Sequence, residues 1–596
     1  MLANLGLATL GLAGVAAAAE PARAVPVACR PGVAPLILQT SKARFAISPC
    51  SGGLESVRLL DAQFRMPPRP APAAAPTWAQ PRWQAGALEL VETWDAKWDP
   101  FRDTLDLAGL PALKARALGP DGAGREVDLG TLLRQAPAWG VVAKSDTAVT
   151  LVWPDPTAWA APVHVEKTWT RLGPDRPYGL MAEIAIWNVG AAPIRLQLLH
   201  EVSTFQDPTV TVSWIDSLAG PGDMKGAAFR LGEDTVRHDM PALAKAAAEE
   251  RVGKGAPSWV GVGSRYFLLA SAPLAGVEAG SDVRIEGLGN GVVRARVALP
   301  AASIDAAPGG CIPGWHADAT TRPACDAKER RHRAAFSYDV YGGPKAVEQL
   351  EPAGHHLVDA IDLGWFGAIA MPMTAVLKWA HGWSGNWPFA IFLLTLLVRV
   401  LMWPLTGKSL KSMRKMQTLK PEMDRLRADF EARQTKFGKD KVDPQELNRA
   451  TFDLYKQHGV NPFGGCLPML LQMPVYIALY RTILSSVDLY NQPLFGWIGD
   501  LTQKDPYYVL PVLLGGVMFV QQKLTPQPGQ DPAQQKMLLY FMPALFTFMM
   551  LALPSGLTLY ILVNTLLGIL QTFLVNRTMP LPTVAAAPTS RQSEAK

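Results

Sequence analysis

WPFAIFLLTLLVRVLMWPLT, residues 387–406, is the stretch whose reading decides how the rest of the chain is understood. It is 20 residues long and carries a single charge, Arg399. As a helix rising 1.5 Å per residue it reaches ~30 Å, the thickness of a bilayer's hydrocarbon core. An arginine in such a span costs ~2.5–3.5 kcal/mol on insertion scales and cannot lose its charge by deprotonating. It therefore calls for a carboxylate or a wet cavity. Working outward, four further apolar runs follow near Leu467–Val487, Tyr508–Val520, Leu538–Leu553 and Leu557–Val575, and none contains Asp or Glu. Several are short for spanning helices, which points to a locally thinned bilayer. Arg399 lies nine residues before Lys408, ~13 Å of helix, so it sits near mid-depth on that side of the span.

Charge sets the orientation. The connection from Lys408 to Gly465 holds 13 Lys/Arg against 8 Asp/Glu, whereas Ser486–Asp505 holds one Lys and three Asp. The excess of basic residues puts the first connection in the cytoplasm and the second outside. Residues before Trp387 are then exported and the C-terminus is cytoplasmic. Residues 2–19 are an Ala/Leu/Gly stretch ending in Ala17-Ala18-Ala19, readable as a cleaved signal or as an anchor, though no basic residue precedes it. Leu363–Leu377 is apolar but only 15 residues, with Lys378, Trp379 and His381 after it. A helix lying in the interface fits it, while an extra span would reverse the topology. The basic connection reads as two helices, Lys408–Lys436 and one starting at Asp443-Pro444 and running to Gln457. This antiparallel hairpin is either a solvated cap or a docking site for an acidic partner or incoming chain.

At 596 residues the chain exceeds one ordinary domain, and its net charge of +6 implies no general affinity for nucleic acid. Residues 42–345 show dense strand-like alternation, as in Thr147–Trp153, Val163–Trp169, Leu180–Trp187, Ile194–Val202 and Tyr266–Ser271. That density predicts an all-β sandwich or barrel, with Pro67–Pro81 as an excursion from it. No nucleophile elbow, phosphate loop or paired-carboxylate pattern stands out. In an exported domain Cys311 and Cys325 are expected to form a disulfide, and Cys29 and Cys50 a second. A zinc site from Cys311, His316, Cys325 and His332 is the alternative, but its spacing matches no familiar zinc pattern.

Three of the apolar runs carry polar stripes at helical spacing: Thr395 with Arg399, Gln472 with Tyr476 and Tyr480, and Tyr560 with Asn564 and Gln571. Lipid offers such groups no hydrogen bonds, so they share a polar interior, either a closed bundle's or a groove's. Arg399 favours a groove open to water. Arg481, near the end of its run beside Asp488, can snorkel instead.

Co-linear motifs then resemble a known family. They include Asp362-Leu-Gly-Trp-Phe-Gly, the Arg399 run ending in Trp403-Pro-Leu-Thr, Ser409–Pro421, Val460-Asn-Pro-Phe-Gly-Gly-Cys466-Leu-Pro, Gln472-Met-Pro, Asp505-Pro-Tyr, Gln522-Lys-Leu-Thr-Pro526 and Pro554-Ser-Gly-Leu. Trp259, Tyr266-Phe267 and Tyr341-Gly-Gly-Pro-Lys345 look like the exported part of the same family. The match is to the YidC/Oxa/Alb insertases, in their bacterial branch, dense over 340–575 and patchier upstream. It implies a periplasmic β-sandwich over 20–345, a linker and interfacial helix over 346–386, and a five-span membrane domain over 387–575. The cytoplasmic hairpin would span 408–458 and the cytoplasmic tail 576–596, with residues 1–19 as signal or anchor. The resemblance implies an inner-membrane insertase and folding chaperone without enzymatic activity or cofactor. Its partners would be nascent membrane proteins, the ribosome, the Sec translocon and the bilayer. Arg399, Thr395, Gln472, Tyr560 and Asn564 would form the substrate groove. Where the family commonly carries a tyrosine pair on the last helix, this chain has Tyr560-Ile561. A transporter of solutes or anions, with Arg399 as anion site, is the rival; inverted repeats would favour it, and the sequence shows no convincing repeat.

Overall fold

The structure is a computed structural model that describes residues 34–578, apart from 48, 50–51, 65–87, 90–100, 105–113, 119–123, 129–139, 154–162, 189–192, 197, 206–225, 240–246, 276–280, 289–291, 300–301, 306–331, 364–366, 438–443, 460–466 and 525–535. The N-terminal segment, Pro67–Pro81, the tail beyond residue 578 and the cysteines Cys29, Cys50, Cys311 and Cys325 fall outside the described residues.

From Leu36 to Pro344 the described chain is built of strands, and every pairing among them is antiparallel. They form two nine-stranded sheets and one of four strands. The centre of one large sheet is Arg333–Pro344, paired with Gly179–Asn188 on one side and Phe267–Ala275 on the other. Inward residues of both large sheets meet in one core. Phe45, Leu54, Val202, Ile285 and Val297 come from one sheet, Trp169, Leu180, Ile184, Trp259 and Val340 from the other. Alternating burial against a facing sheet is what a sandwich requires. Trp169, fully buried, donates its indole N–H to the Gly52 carbonyl oxygen at 2.8 Å, so its polar edge is satisfied inside the core. The expected strand Ile194–Val202 is two strands: Ile194–Leu196 lies in the four-stranded sheet and Leu199–Phe205 in a large one. One run of alternation serves two sheets because the chain changes sheet between Leu196 and Leu199.

Helices follow: α1 (Val347–Ala353), α2 (Gly367–Ser384), α3 (Trp387–Thr418), α4 (Lys420–Phe437), α5 (Pro444–Gln457), α6 (Leu467–Ser485), α7 (Val509–Leu524), α8 (Met542–Met550, entered through a π turn at Met537–Phe541) and α9 (Ser555–Thr578). Among the described residues two helical segments, Trp387–Leu410 and Ser555–Val575, are long and apolar enough to cross a membrane, and Val509–Leu524 and Met537–Met550 are shorter apolar helices. α3 departs from expectation. The apolar run and the start of the basic connection are one 32-residue helix, and the break falls at Leu419 instead of Gly407. Gly407 is tolerated at ~1 kcal/mol, whereas Pro421 has no N–H for the ladder and suits the first turn of a new helix. The second hairpin helix starts at Pro444 as expected. Met416, Leu419, Met423 and Tyr455 close the hairpin, with the Tyr455 hydroxyl on the Met423 sulfur at 3.0 Å. α2 extends beyond the expected Leu377 to Ser384.

The helices share an apolar core of their own. Ala370, Met373, Leu377 and Ala380 of α2 pack with Ala390, Ile391 and Leu394 of α3, Ala478 and Ile483 of α6, Leu514 of α7 and Leu557 of α9. This core uses α3 up to Leu394 and α6 from Ala478 onward; Arg399 lies beyond the first stretch, and Gln472 and Tyr476 lie before the second. Outward, Val400 and Leu401 of α3 and Phe573 of α9 are more than half exposed, a surface suited to hydrocarbon.

The β domain is keyed to the helices at the α6–α7 connection. Tyr490 sits among Phe64, Tyr266 and Phe267, with ring centroids 5.2–6.4 Å away. Gln63 donates to the carbonyl oxygens of Val487 and Asp488 at 3.0 and 3.2 Å, and Asn491 returns a hydrogen bond to the Gln63 carbonyl oxygen at 3.1 Å.

Candidate functional site: a buried cation among three helices

α3, α6 and α9 bring most of the sequence-derived residues into one cluster. Arg399 is half-buried and lies across α9, where its Nη2 donates to the Asn564 carbonyl oxygen. Directly beneath it is Gly568. A Cβ there would stand 2.8 Å from Arg399 Nη2 and 2.9 Å from Gln521 Nε2 of α7, so the guanidinium occupies the space a side chain would take. Asn564 donates from Nδ2 to the Tyr476 hydroxyl oxygen at 2.7 Å. The Tyr476 and Tyr560 rings meet edge to face with centroids 6.0 Å apart, and Gln472 Nε2 reaches the Tyr560 hydroxyl at 3.5 Å, the outer limit of a hydrogen bond. Further along α9, Gln571 donates to Thr406 Oγ1 at 2.6 Å, a second polar tie between α3 and α9.

Two sequence-derived residues stand apart from this contact set. Thr395 is fully buried and donates its hydroxyl to the Ile391 carbonyl oxygen of its own helix at 2.6 Å. Tyr480 lies beyond Tyr476 toward the apolar half, packed against the helical core. Sequence reasoning missed Gly568 and Gln521. Gly568 carried a readable signal, since it falls four residues after Asn564 on the polar stripe of α9.

Among the described residues no carboxylate lies within 4 Å of the Arg399 guanidinium, and Nε has no hydrogen-bond partner although buried. The Asn564 Oδ1 is likewise buried without a partner. The guanidinium keeps its proton. The arrangement is a fixed positive charge beside two phenols and an amide carbonyl, with large apolar side chains facing outward on either flank. It can attract a negative or hydrogen-bonding group. It holds no nucleophile paired with a base, and no group of three metal-binding side chains exists among the described residues.

Fold and site together define a membrane protein in which a large antiparallel β domain precedes an apolar helical bundle carrying an unneutralised cation. The family model for the 60Kd inner membrane protein matches residues 379–582. The membrane protein insertase YidC of Geobacter sulfurreducens is 36% identical over 422 residues, covering 71% of this chain and 70% of that protein. The YidC of Anaeromyxobacter sp. (strain Fw109-5) is 41% identical over 360 residues, 59% of this chain and 56% of that one. A crystal structure of an active YidC insertase with its first transmembrane domain resolved aligns over 93% of this chain and 95% of that chain, at 16% identity and a TM-score of 0.34, too loose a superposition to weigh. The chain belongs to the YidC family of membrane protein insertases. It is an inner-membrane insertase and not an enzyme.

Proposed function

We propose that the cluster around Arg399 is a groove that takes up polar or acidic parts of an incoming transmembrane segment and then yields the segment to lipid. The observation that carries this reading is the guanidinium laid over Gly568 with no carboxylate in reach among the described residues. A carboxylate arriving at 4 Å gains roughly 4 kcal/mol at an effective dielectric constant near 20. The cost of an Asp at mid-membrane is ~2.5–3.5 kcal/mol. The two are comparable, so the groove offsets the barrier without trapping the client. Energy comes from the partitioning of the client's apolar surface and from the membrane potential acting on its charges.

The basic connection supports a cytoplasmic hairpin, a cytoplasmic C-terminus and a β domain on the periplasmic side. The five helices α3, α6, α7, α8 and α9 are the spans in this reading, with α2 lying in the interface. Its partners are nascent membrane proteins, the ribosome, the Sec translocon and lipid, the hairpin offering the docking face for the synthesis side.

Arg399→Ala should impair insertion of a client with acidic residues in its outgoing segment while sparing a client without them, measured in cells depleted of the native insertase. Arg399→Lys should restore part of the activity, because a point charge suffices without the planar fork. Full insertion of the acidic client by Arg399→Ala would remove the charge from the mechanism.

A further inference from the structure

A cavity of about 810 Å³ opens where the β domain, α2 and the end of α6 meet. One wall is α2, through Gly367, Met371, Ala375 and Lys378, spaced so that they share a helical face. A second face of that helix is buried in the bundle core, and a third bears Trp379 and Trp383, 70% and 73% exposed. Two bare tryptophans on a helix packed beside apolar spans mark the membrane–water interface. The cavity therefore lies at headgroup depth.

The facing wall is the hairpin of Gly226–Leu231 and Asp234–Asp239. Some charges around the cavity are committed: Arg230 pairs with Asp359, and Lys378 with Glu348 and Asp488. Three are not. Arg237 hydrogen-bonds the Asp359 carbonyl oxygen but meets no carboxylate, and Glu233 and Asp234 at the hairpin turn meet no cation, among the described residues. A guanidinium and two carboxylates, all exposed and unneutralised among the described residues, thus line the same cavity as Met371 and Ala375.

We propose that this cavity binds the headgroup of a zwitterionic aminophospholipid from the adjoining leaflet. Arg237 takes the phosphate, Glu233 and Asp234 take the ammonium, and an acyl chain leaves along Met371 and Ala375. The volume is in the range of specific small-molecule sites. An anionic lipid would leave both carboxylates unanswered, and a bare amine would leave Arg237 unanswered. The proposal rests on α2 lying in the interface and is independent of what Arg399 does, so an insertion assay is not its readout.

The test uses the full chain in phosphatidylcholine vesicles containing a few per cent of photoreactive phosphatidylethanolamine or, in parallel, photoreactive phosphatidylglycerol. The ethanolamine lipid should label more strongly, with labelled peptides in residues 226–239 and 367–378. Glu233→Gln combined with Asp234→Asn, isosteric changes at an exposed turn, should cut that preference by about fivefold, the equivalent of ~1 kcal/mol for an exposed ion contact. Arg237→Ala should weaken both lipids, and Ala375→Trp should block labelling at the cavity. Equal labelling by the two lipids, or a preference unchanged in the double variant, overturns the proposal. Full competition by soluble glycerophosphoethanolamine also overturns it, assigning the site to a free phosphodiester.

Discussion

Gly568 is where the position of Arg399 is decided, because the guanidinium rests in the volume a side chain would fill. Alanine is the better helix former by ~0.8–1 kcal/mol, so Gly568→Ala should leave thermal stability near native or slightly raised. Its added methyl would force the Arg399 headgroup off α9, so insertion of an acidic client should fall toward the Arg399→Ala level. Melting temperature and insertion yield measured on the same variant separate the two effects; a variant native in both would show that Arg399 does not need this seat. The sequence made much of the cluster legible, since Arg399, Gln472, Tyr560 and Asn564 repeat at helical spacing on apolar runs. It could not show that Thr395, on the right face, turns its hydroxyl to its own backbone, because a buried threonine has the Ile391 carbonyl oxygen in reach wherever the helix packs. Nor does composition distinguish a glycine that seats a side chain from one that merely weakens a helix.

Among the elements, the α6–α7 connection shows how a long loop is held largely by side-chain hydrogen bonds. Asp505, 2% exposed, accepts from Trp497 Nε1 at 2.9 Å, Tyr507 N at 3.0 Å and Leu510 N at 2.8 Å. It thereby caps the start of α7 and ties the Trp497 ring to it. Asp505→Ala strands three donors and should cost ~1–3 kcal/mol, read as a lower melting temperature and faster proteolysis between residues 490 and 508. Asp505→Asn, retaining an acceptor oxygen, should cost less; equal losses would mean the charge, not the acceptor geometry, matters. Element types were largely readable from periodicity, but two boundaries were not. Pro404 and Gly407 are local breakers that α3 runs through, so the sequence does not reveal that it ends only before Pro421, and a period-2 pattern cannot reveal that its two ends join different sheets.

At the scale of the whole molecule, β domain and bundle are joined by aromatic packing around Tyr490 and by Lys378, which contacts Glu348 at 2.7 Å and Asp488 at 2.9 Å. Burial alone would raise Glu348 and lower Lys378. For Glu348 it is outweighed by the Lys378 hydrogen bond, a backbone hydrogen bond and the Lys378 charge, which together lower its pKa. For Lys378 the charge of Asp488 and the hydrogen bonds it donates to both carboxylates win, and its pKa rises. The Glu348 contribution is thus present above the ordinary glutamate pKa of ~4.3 and fades as pH falls through the lowered folded value. The Lys378 contribution is complete below ~10.4 and fades as pH rises through the raised one. The joint should therefore be insensitive to pH across the neutral range. The hydrogen-exchange protection factor over residues 345–363, the observed rate divided into the intrinsic rate at each pH, should stay flat from about pH 5 to pH 9 in the native chain and fall in Lys378→Ala. Unchanged protection in that variant would mean that Tyr490 and Gln63 hold the joint alone. The unbroken course of α3 has a rotational consequence. A helix turns ~100° per residue, so Arg399 and the hairpin that begins beyond Thr418 are locked in angular phase along one rod. One residue added between them would swing the hairpin a quarter-turn and more away from the groove, whereas seven would bring it back to within ~20°. Under the proposed role of Arg399, the residue count between them would set the direction from which a client reaches it.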